Sequence, residues 1–192
     1  MENKFFTFIK PYLSYIDSGQ FYRKPFSWLY IMLAILNLIV PLDVIYRAFD
    51  NRIFDSPPEF VVTFILTWLV IAFASWISFQ LWWDRKEKVK MISSEGDEYM
   101  ATPGVSHFVQ TFGEWLGTWI GFVGGAVALI TTLVLGDEGR YMIRQLDYDF
   151  LQSGLIFVVL MPIYGFLIII GTRYIAEQGR ALTAIATNTK RE

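Results

Sequence analysis

Four long apolar runs constrain this chain more than any other feature of its sequence. They cover residues 25–46, 60–83, 113–135 and 150–174, and they contain few charged side chains. A helix of about 20 apolar residues crosses the hydrocarbon core of a bilayer. Because lipid offers no hydrogen-bond partner to a free backbone group, each run must be helical if it crosses. The sequence therefore predicts an all-α membrane protein, a bundle of four transmembrane helices.

The composition agrees with a single polytopic membrane domain over residues 1–192. Hydrophobic residues make up 54% of the chain and charged residues 18%, whereas a soluble domain carries about 25% charged residues. The net charge of −2 provides no basic field for nucleic acid. We therefore expect the lipid bilayer to be a partner, and we expect no nucleic-acid partner.

The N-terminal residues 1–20 precede the first run and have an amphipathic pattern. At helical spacing their apolar side chains share one face, while the charged side chains lie elsewhere. These apolar residues are Phe5, Phe6, Ile9, Tyr12, Leu13 and Ile16. The pattern is typical of an interfacial helix in the membrane surface. The alternative is a cytoplasmic helix that packs on the protein's own bundle.

The distribution of basic residues predicts the orientation. Twelve of the sixteen Lys and Arg residues lie in residues 1–24, in the loop 84–105, and from Arg173 onwards. The other four are Arg47, Arg52, Arg140 and Arg144. Since basic residues stay on the cytoplasmic side, we expect 84–105 to be a cytoplasmic loop and 175–192 a cytoplasmic tail. Both termini are then cytoplasmic, which agrees with an even number of spans.

A row of four glycines marks the third run. Gly113, Gly117, Gly121 and Gly125 follow one another at four-residue spacing and form a small-residue groove on one side of a helix. Such a groove lets another helix approach closely in lipid. Four residues turn a helix by roughly 400°, so the row drifts by about 40° per step, which favours a right-handed crossing. The groove packs either against a helix of the same chain or against a second copy.

Three ionisable residues at the predicted inner boundary form a candidate ion pair. Glu114 begins the third span and Arg173 ends the fourth, so the two can meet, and Glu177 lies one turn beyond Arg173. Ionisable groups in membrane segments are costly, so they suggest a function. The functional interpretation is a gate or proton relay, and the structural one is a pair that joins the third helix to the fourth.

Polar and helix-breaking residues in the first and fourth spans define a candidate polar notch. Its members are Asn37, Pro41, Asp43, Pro162 and Gly165. Pro41 predicts a kink in the first span, and Pro162 predicts a bend or break in the fourth. Paired irregular helices are where transporters place binding sites. The alternative is a kinked helix whose polar groups are satisfied by its neighbours.

The residues that enzymes require are missing from the sequence. His107 is the single histidine and the chain has no cysteine, so neither a zinc H-E-x-x-H pair nor a thiol nucleophile can form. There is no G-x-x-x-x-G-K phosphate loop and no G-x-S-x-G elbow. We expect no catalytic residues, no cofactor and no metal, and we expect His107 to be an ordinary residue at the cytoplasmic edge.

The end of the fourth span and the tail read RYIAEQGRALTAIATNTK. This segment resembles the closing segment of small bacterial inner-membrane families of unknown function. The resemblance covers about a tenth of the chain and implies a location in the bacterial cytoplasmic membrane, without an activity.

Three functional hypotheses follow. The first is a non-catalytic membrane module, either self-associating as a homo-oligomer or acting as an accessory subunit of a larger membrane complex. The second is a small oligomeric channel or transporter that uses the polar notch. The third and weakest is a lipid-modifying enzyme.

Overall fold

The computed structural model describes residues 9–17, 20–92, 101–136 and 154–189, and their regular structure is helical. We number the helices in chain order, with a short 3₁₀ turn at Ile53–Asp55 and a π-helical segment at Trp119–Gly124. The α-helices are α1 (Lys10–Asp17), α2 (Gln20–Asp50), α3 (Pro58–Ile92), α4 (Ala101–Thr118), α5 (Gly125–Val134) and α6 (Gly154–Thr189).

Four stretches of helix are long and apolar enough to cross a membrane, as the sequence predicts. They are Pro25–Asp50, Pro58–Val89, Thr102–Val134 and Gly154–Thr189. Much of their apolar surface is exposed, which suits a lipid environment. On α6 alone the exposed side chains include Leu155, Ile156, Val159, Ile163, Phe166, Leu167 and Ile170.

The helices are longer than the predicted membrane spans. Residues 84–92 and 101–105 of the predicted cytoplasmic loop are helical, and α6 continues through most of the predicted cytoplasmic tail to Thr189. The charged stretch after Trp83 contains neither proline nor glycine, so nothing in it ends the helix. Pro103 falls in the first turn of α4, where its missing N–H has no intrahelical role.

The predicted interfacial helix is described only in part. α1 covers residues 10–17, while residues 1–8 and 18–19 lie outside the described residues. Tyr12 and Leu13 are exposed. Placement of this helix in the membrane surface stays a prediction.

The bundle consists of two helix pairs. α2 packs on α3, and the continuous α4–π–α5 rod packs on α6. α3 also contacts the rod and so joins the two pairs. The buried core lies between α2, α3 and α4 and is built around Tyr30, Ala34, Trp82 and Val89.

The glycine row faces α6 of the same chain. Gly113 lies against Thr172, Gly117 against Gly165 and Ile169, and the row continues past Pro162. A Cβ added to Gly121 would lie 3.4 Å from the Cα of Pro162, and one added to Gly125 would lie 3.2 Å from its ring. Of the two packing partners left open by the sequence, the structure therefore has the internal one.

The π-helical segment explains how the glycines share one partner. An α-helix would carry the row around its surface by about 40° per four residues. The i→i+5 hydrogen bonds of Trp119–Gly124 form a wider turn, which rotates less per residue. Gly121 and Gly125 thereby stay on the side where Gly113 and Gly117 lie.

Neither proline breaks its helix. Pro41 lies inside α2 and Pro162 inside α6, and both helices are continuous. Pro162 cannot donate to the Val158 carbonyl, and that oxygen would be 3.6 Å from a Cβ added to Gly125. The freed carbonyl is therefore accommodated beside a residue without a side chain. Of the bend or break predicted at Pro162, α6 has no break, and the irregular backbone is in the π-helical segment opposite.

We expect Gly117→Ala to destabilise the bundle by about 1–3 kcal/mol, the range for overpacking. Its new Cβ would lie 2.5 Å from the Gly165 carbonyl oxygen, so the helices would have to separate. Gly171→Ala in α6 is the matched control, because its Cβ would have nothing within 4 Å. The measurement is the free energy of unfolding in micelles or bicelles. Equal stability of the two variants would contradict the close approach.

Candidate functional site

The buried carboxylate of Glu114 joins three helices. Its Oε2 accepts a hydrogen bond from Arg85 Nη2 of α3 at 2.7 Å, and its Oε1 accepts one from Arg173 Nη2 of α6 at 2.7 Å. Arg173 Nε donates to the same Oε1 at 3.1 Å. The side chain of Glu114 is 10% exposed, that of Arg85 20% and that of Arg173 53%. The network is therefore largely shielded from solvent at Arg85 of α3 and accessible at Arg173 of α6.

The glycine row sets the register of this network. Gly113 contacts Thr172, and Glu114 and Arg173 each lie one residue from that contact, so they are at nearly the same level of the two antiparallel helices. The sequence predicts their contact from membrane depth, and the structure contains it. Arg85 is not among the partners that the sequence predicts for Glu114. Continuation of α3 past Trp83 is the signal that could have found it.

A second set of hydrogen bonds extends the network along α4 and α6. Gln110 Nε2 donates to Glu114 Oε1 at 3.0 Å, and Gln110 Oε1 accepts from Arg180 Nη2 at 2.9 Å. Arg180 Nε also donates to the Ala176 carbonyl at 3.3 Å. Three guanidinium groups are therefore linked through one amide and one carboxylate. Sequence reasoning missed Gln110 and Arg180.

Glu177 does not take the place predicted for it. It is exposed, and in the described part of the chain Arg173 pairs with Glu114 rather than with Glu177. The reason is geometric: Arg173 directs Nε and Nη2 toward α4, away from its own helix surface.

A buried hydrogen-bonded cluster lies beside the network, between α2 and α4. The Tyr30 hydroxyl and His107 Nδ1 are 2.9 Å apart, and the hydroxyl lies 3.5 Å from Thr111 Oγ1. Thr111 in turn donates to the His107 carbonyl at 2.9 Å. His107 is 5% exposed, so it is a core residue of the bundle, and its position at the cytoplasmic edge of the membrane stays a prediction. Its Nε2 has no hydrogen-bond partner among the described residues.

Indole N–H groups satisfy several polar atoms within the bundle. Trp115 Nε1 donates to Asn37 Oδ1 at 2.9 Å, and Asn37 Nδ2 donates to the Leu33 carbonyl at 2.7 Å. Trp119 Nε1 donates to Ser78 Oγ at 2.8 Å. Tryptophan thus connects neighbouring helices by hydrogen bonds as well as by packing.

The residues of the predicted polar notch do not converge. Asn37 is buried and bonded to Trp115, whereas Asp43 is exposed and pairs with Arg47 in its own helix at 2.7 Å. Pro162 and Gly165 pack against the glycine row. The alternative interpretation, a kinked helix whose polar groups are satisfied by its neighbours, describes Asn37. The notch is not assembled because α2 pairs with α3, while α6 pairs with α4 and α5.

The arrangement around Glu114 fits a structural role, which is to hold three helices together, better than a role in binding or converting a substrate. A carboxylate that accepts four hydrogen bonds from three side chains is held in its ionised form and has little capacity left for a substrate. The described residues contain no group of three or more His, Asp or Glu side chains that could hold a metal ion.

Comparison with known proteins produced no match to a protein-family model, to a curated protein or to a solved structure.

We expect Glu114→Gln to lower the free energy of unfolding by about 3 kcal/mol, because it leaves Arg85 buried without its counter-charge. Asp43→Asn is the matched control, since it makes the same carboxylate-to-amide change in an exposed pair that contributes little to stability. Unfolding of both variants in the same detergent checks the prediction. A Glu114→Gln protein as stable as the control would contradict it.

Tyr30→Phe is expected to cost about 1 kcal/mol, because it leaves His107 Nδ1 without its bond in the core. Tyr164→Phe provides the control, as Tyr164 is 51% exposed on α6. Thermal unfolding of the two variants is the measurement, and an unchanged midpoint for Tyr30→Phe would argue against a stabilising cluster.

Proposed function

We infer that the protein is a multi-pass membrane protein that acts as a non-catalytic accessory subunit of a larger membrane complex. The observation that carries this proposal is the contrast between the inside and the outside of the bundle. Polar side chains of the spans such as Glu114 and Asn37 bond to neighbouring helices. The outer helices α2 and α6 present long apolar faces.

The glycine row bears on the kind of association. Its four glycines lie against α6, so a second copy could use the row only by displacing that helix. The exposed apolar faces of the bundle, those of α2 and α6 among them, remain as surfaces for a partner. This favours an accessory subunit over self-association through the row.

The orientation proposed for the complex follows from charge. The helical ends that carry Arg85, Lys86 and Lys88 on α3, and Arg173 and Arg180 on α6, are placed in the cytoplasm by the positive-inside rule. Both termini are then cytoplasmic, and the membrane is the bacterial inner membrane if the resemblance of the last segment holds.

Site-specific photo-crosslinking in the native membrane tests the accessory role. Crosslinkers at Leu36 of α2 and Ile163 of α6, both exposed, are expected to capture a second membrane protein. A crosslinker at Ala74, which is 0% exposed, is the control and should give none. Purification in mild detergent should return that protein at a fixed molar ratio. A single 22.3 kDa chain without any stoichiometric partner would refute the proposal.

A second candidate, a small oligomeric channel or transporter, is favoured by one observation. The π-helical segment Trp119–Gly124 lies opposite Pro162 and Gly165, so irregular backbone and proline meet within the spans. Transporters bind solutes at such places. Ion or solute flux in proteoliposomes above that of protein-free liposomes would favour this candidate over the accessory role.

A further inference from the structure

Three arginine side chains gather at one end of the bundle, and we call them the arginine cluster: Arg85, Arg173 and Arg180. Arg85 and Arg173 meet at the carboxylate of Glu114, and Arg180 reaches the same carboxylate through Gln110. Arg173 and Arg180 are seven residues apart on α6, about two helical turns, and so share a face. The cluster is one continuous site and not three separate surface charges.

Among the described residues, the hydrogen-bonded network around Glu114 carries a net positive charge. Within this network three guanidinium groups face one carboxylate, that of Glu114. Asp84 pairs with Lys88 at 3.1 Å, and Glu177 is exposed one turn from Arg173. Because guanidinium groups outnumber carboxylates three to one in the network itself, the site attracts an anion.

Donors remain for that anion on the open side of the network. The hydrogen bonds of Arg173 and Arg180 use Nε and Nη2 of each. Among the described residues no hydrogen bond occupies Nη1 of either side chain, and both side chains are exposed. Guanidinium groups in this arrangement match the oxygen atoms of a phosphate group.

The depth of the cluster agrees with the headgroup layer. The sequence predicts that the fourth span ends at residue 174, which puts Arg173 at the predicted inner boundary of the hydrocarbon core. Arg180 lies about 10 Å farther along α6. On α3, Lys86 Nζ lies 3.2 Å from the centroid of the exposed Trp83 ring, an amphipathic pair typical of the interface.

We propose that the arginine cluster binds the phosphate group of an anionic phospholipid of the inner leaflet, with Arg173 and Arg180 as the principal donors. Basic pockets between transmembrane helices on the cytoplasmic side bind such headgroups. The phosphate group would complete the neutralisation that Glu114 begins, and would thereby hold α6 at a fixed depth. The inference depends on the membrane location of the chain but not on its role as an accessory subunit.

Native mass spectrometry of the detergent-purified full chain tests the site, with phosphatidylglycerol and phosphatidylcholine of the same acyl chains as probes. We expect phosphatidylglycerol to be retained at least fivefold more than phosphatidylcholine, and Arg180→Gln to remove most of that preference. Arg180→Lys keeps the positive charge but lacks the paired N–H donors of the guanidinium group, so it should retain part of the preference for phosphatidylglycerol. Arg47→Gln, an exposed arginine at the opposite end of the bundle, is the control and should leave the preference unchanged.

Three outcomes would overturn the proposal. Equal retention of the two lipids would show that the chain has no site selective for the anionic lipid. An equal loss in Arg47→Gln and Arg180→Gln would mean that binding follows overall charge. If inorganic phosphate raised the unfolding temperature and displaced phosphatidylglycerol at millimolar concentration, the site would bind free phosphate and not a lipid. Arg180 bonds to Gln110 and not to Glu114, so its substitution leaves the ion pairs of Glu114 intact. Lipid retention is measured on the purified chain, so these outcomes do not depend on whether a partner protein exists.

Discussion

The close approach of α4 and α5 to α6 is the contact on which the rest of the structure depends. In lipid the apolar faces of two helices gain little from association, so dispersion between closely packed backbones has to hold them together. Gly117 and Gly165 make that approach possible, because a Cβ on either would meet the backbone of the other helix. The same contact fixes the register of α6, and the register brings Arg173 to Glu114.

Electrostatics then connects this pair of helices to the rest of the bundle. Glu114 is shared between Arg85 of α3 and Arg173 of α6, so one carboxylate bridges helices that make few other contacts. A buried charge without partners would be costly, and Glu114 has three side-chain partners. The excess of guanidinium over carboxylate is what distinguishes this end of the bundle from an ordinary structural ion pair.

The irregular backbone of the bundle has a packing role. Pro162 frees one carbonyl of α6, and Gly125 provides the space beside it. The π-helical segment turns the rod so that Gly121 and Gly125 face the same helix as Gly113 and Gly117. Proline, glycine and the wide turn thus act together at one helix–helix contact, whereas the sequence predicted a kink at Pro41 and a bend or break at Pro162 in two separate spans.

Much of the fold could be predicted from the sequence. Four helices of membrane length follow from four apolar runs, because length and hydropathy are local properties. The contact of Glu114 with Arg173 followed from their equal depth in antiparallel neighbours. The helices α3 and α6 continue beyond the predicted spans, since polar residues such as those after Trp83 end a hydrophobic run without ending a helix.

By itself the sequence determined the class of the protein, the number of its long helices and the residues that could let two of them approach closely. Only the tertiary structure decided that the glycine row faces α6, that Arg85, Gln110 and Arg180 join the Glu114 network, and that Asn37 bonds to Trp115 rather than lining a notch. The physical reason is that hydropathy and helix period act within one segment. Choice of neighbour and rotation depend on the fit between segments, which no single stretch of sequence encodes.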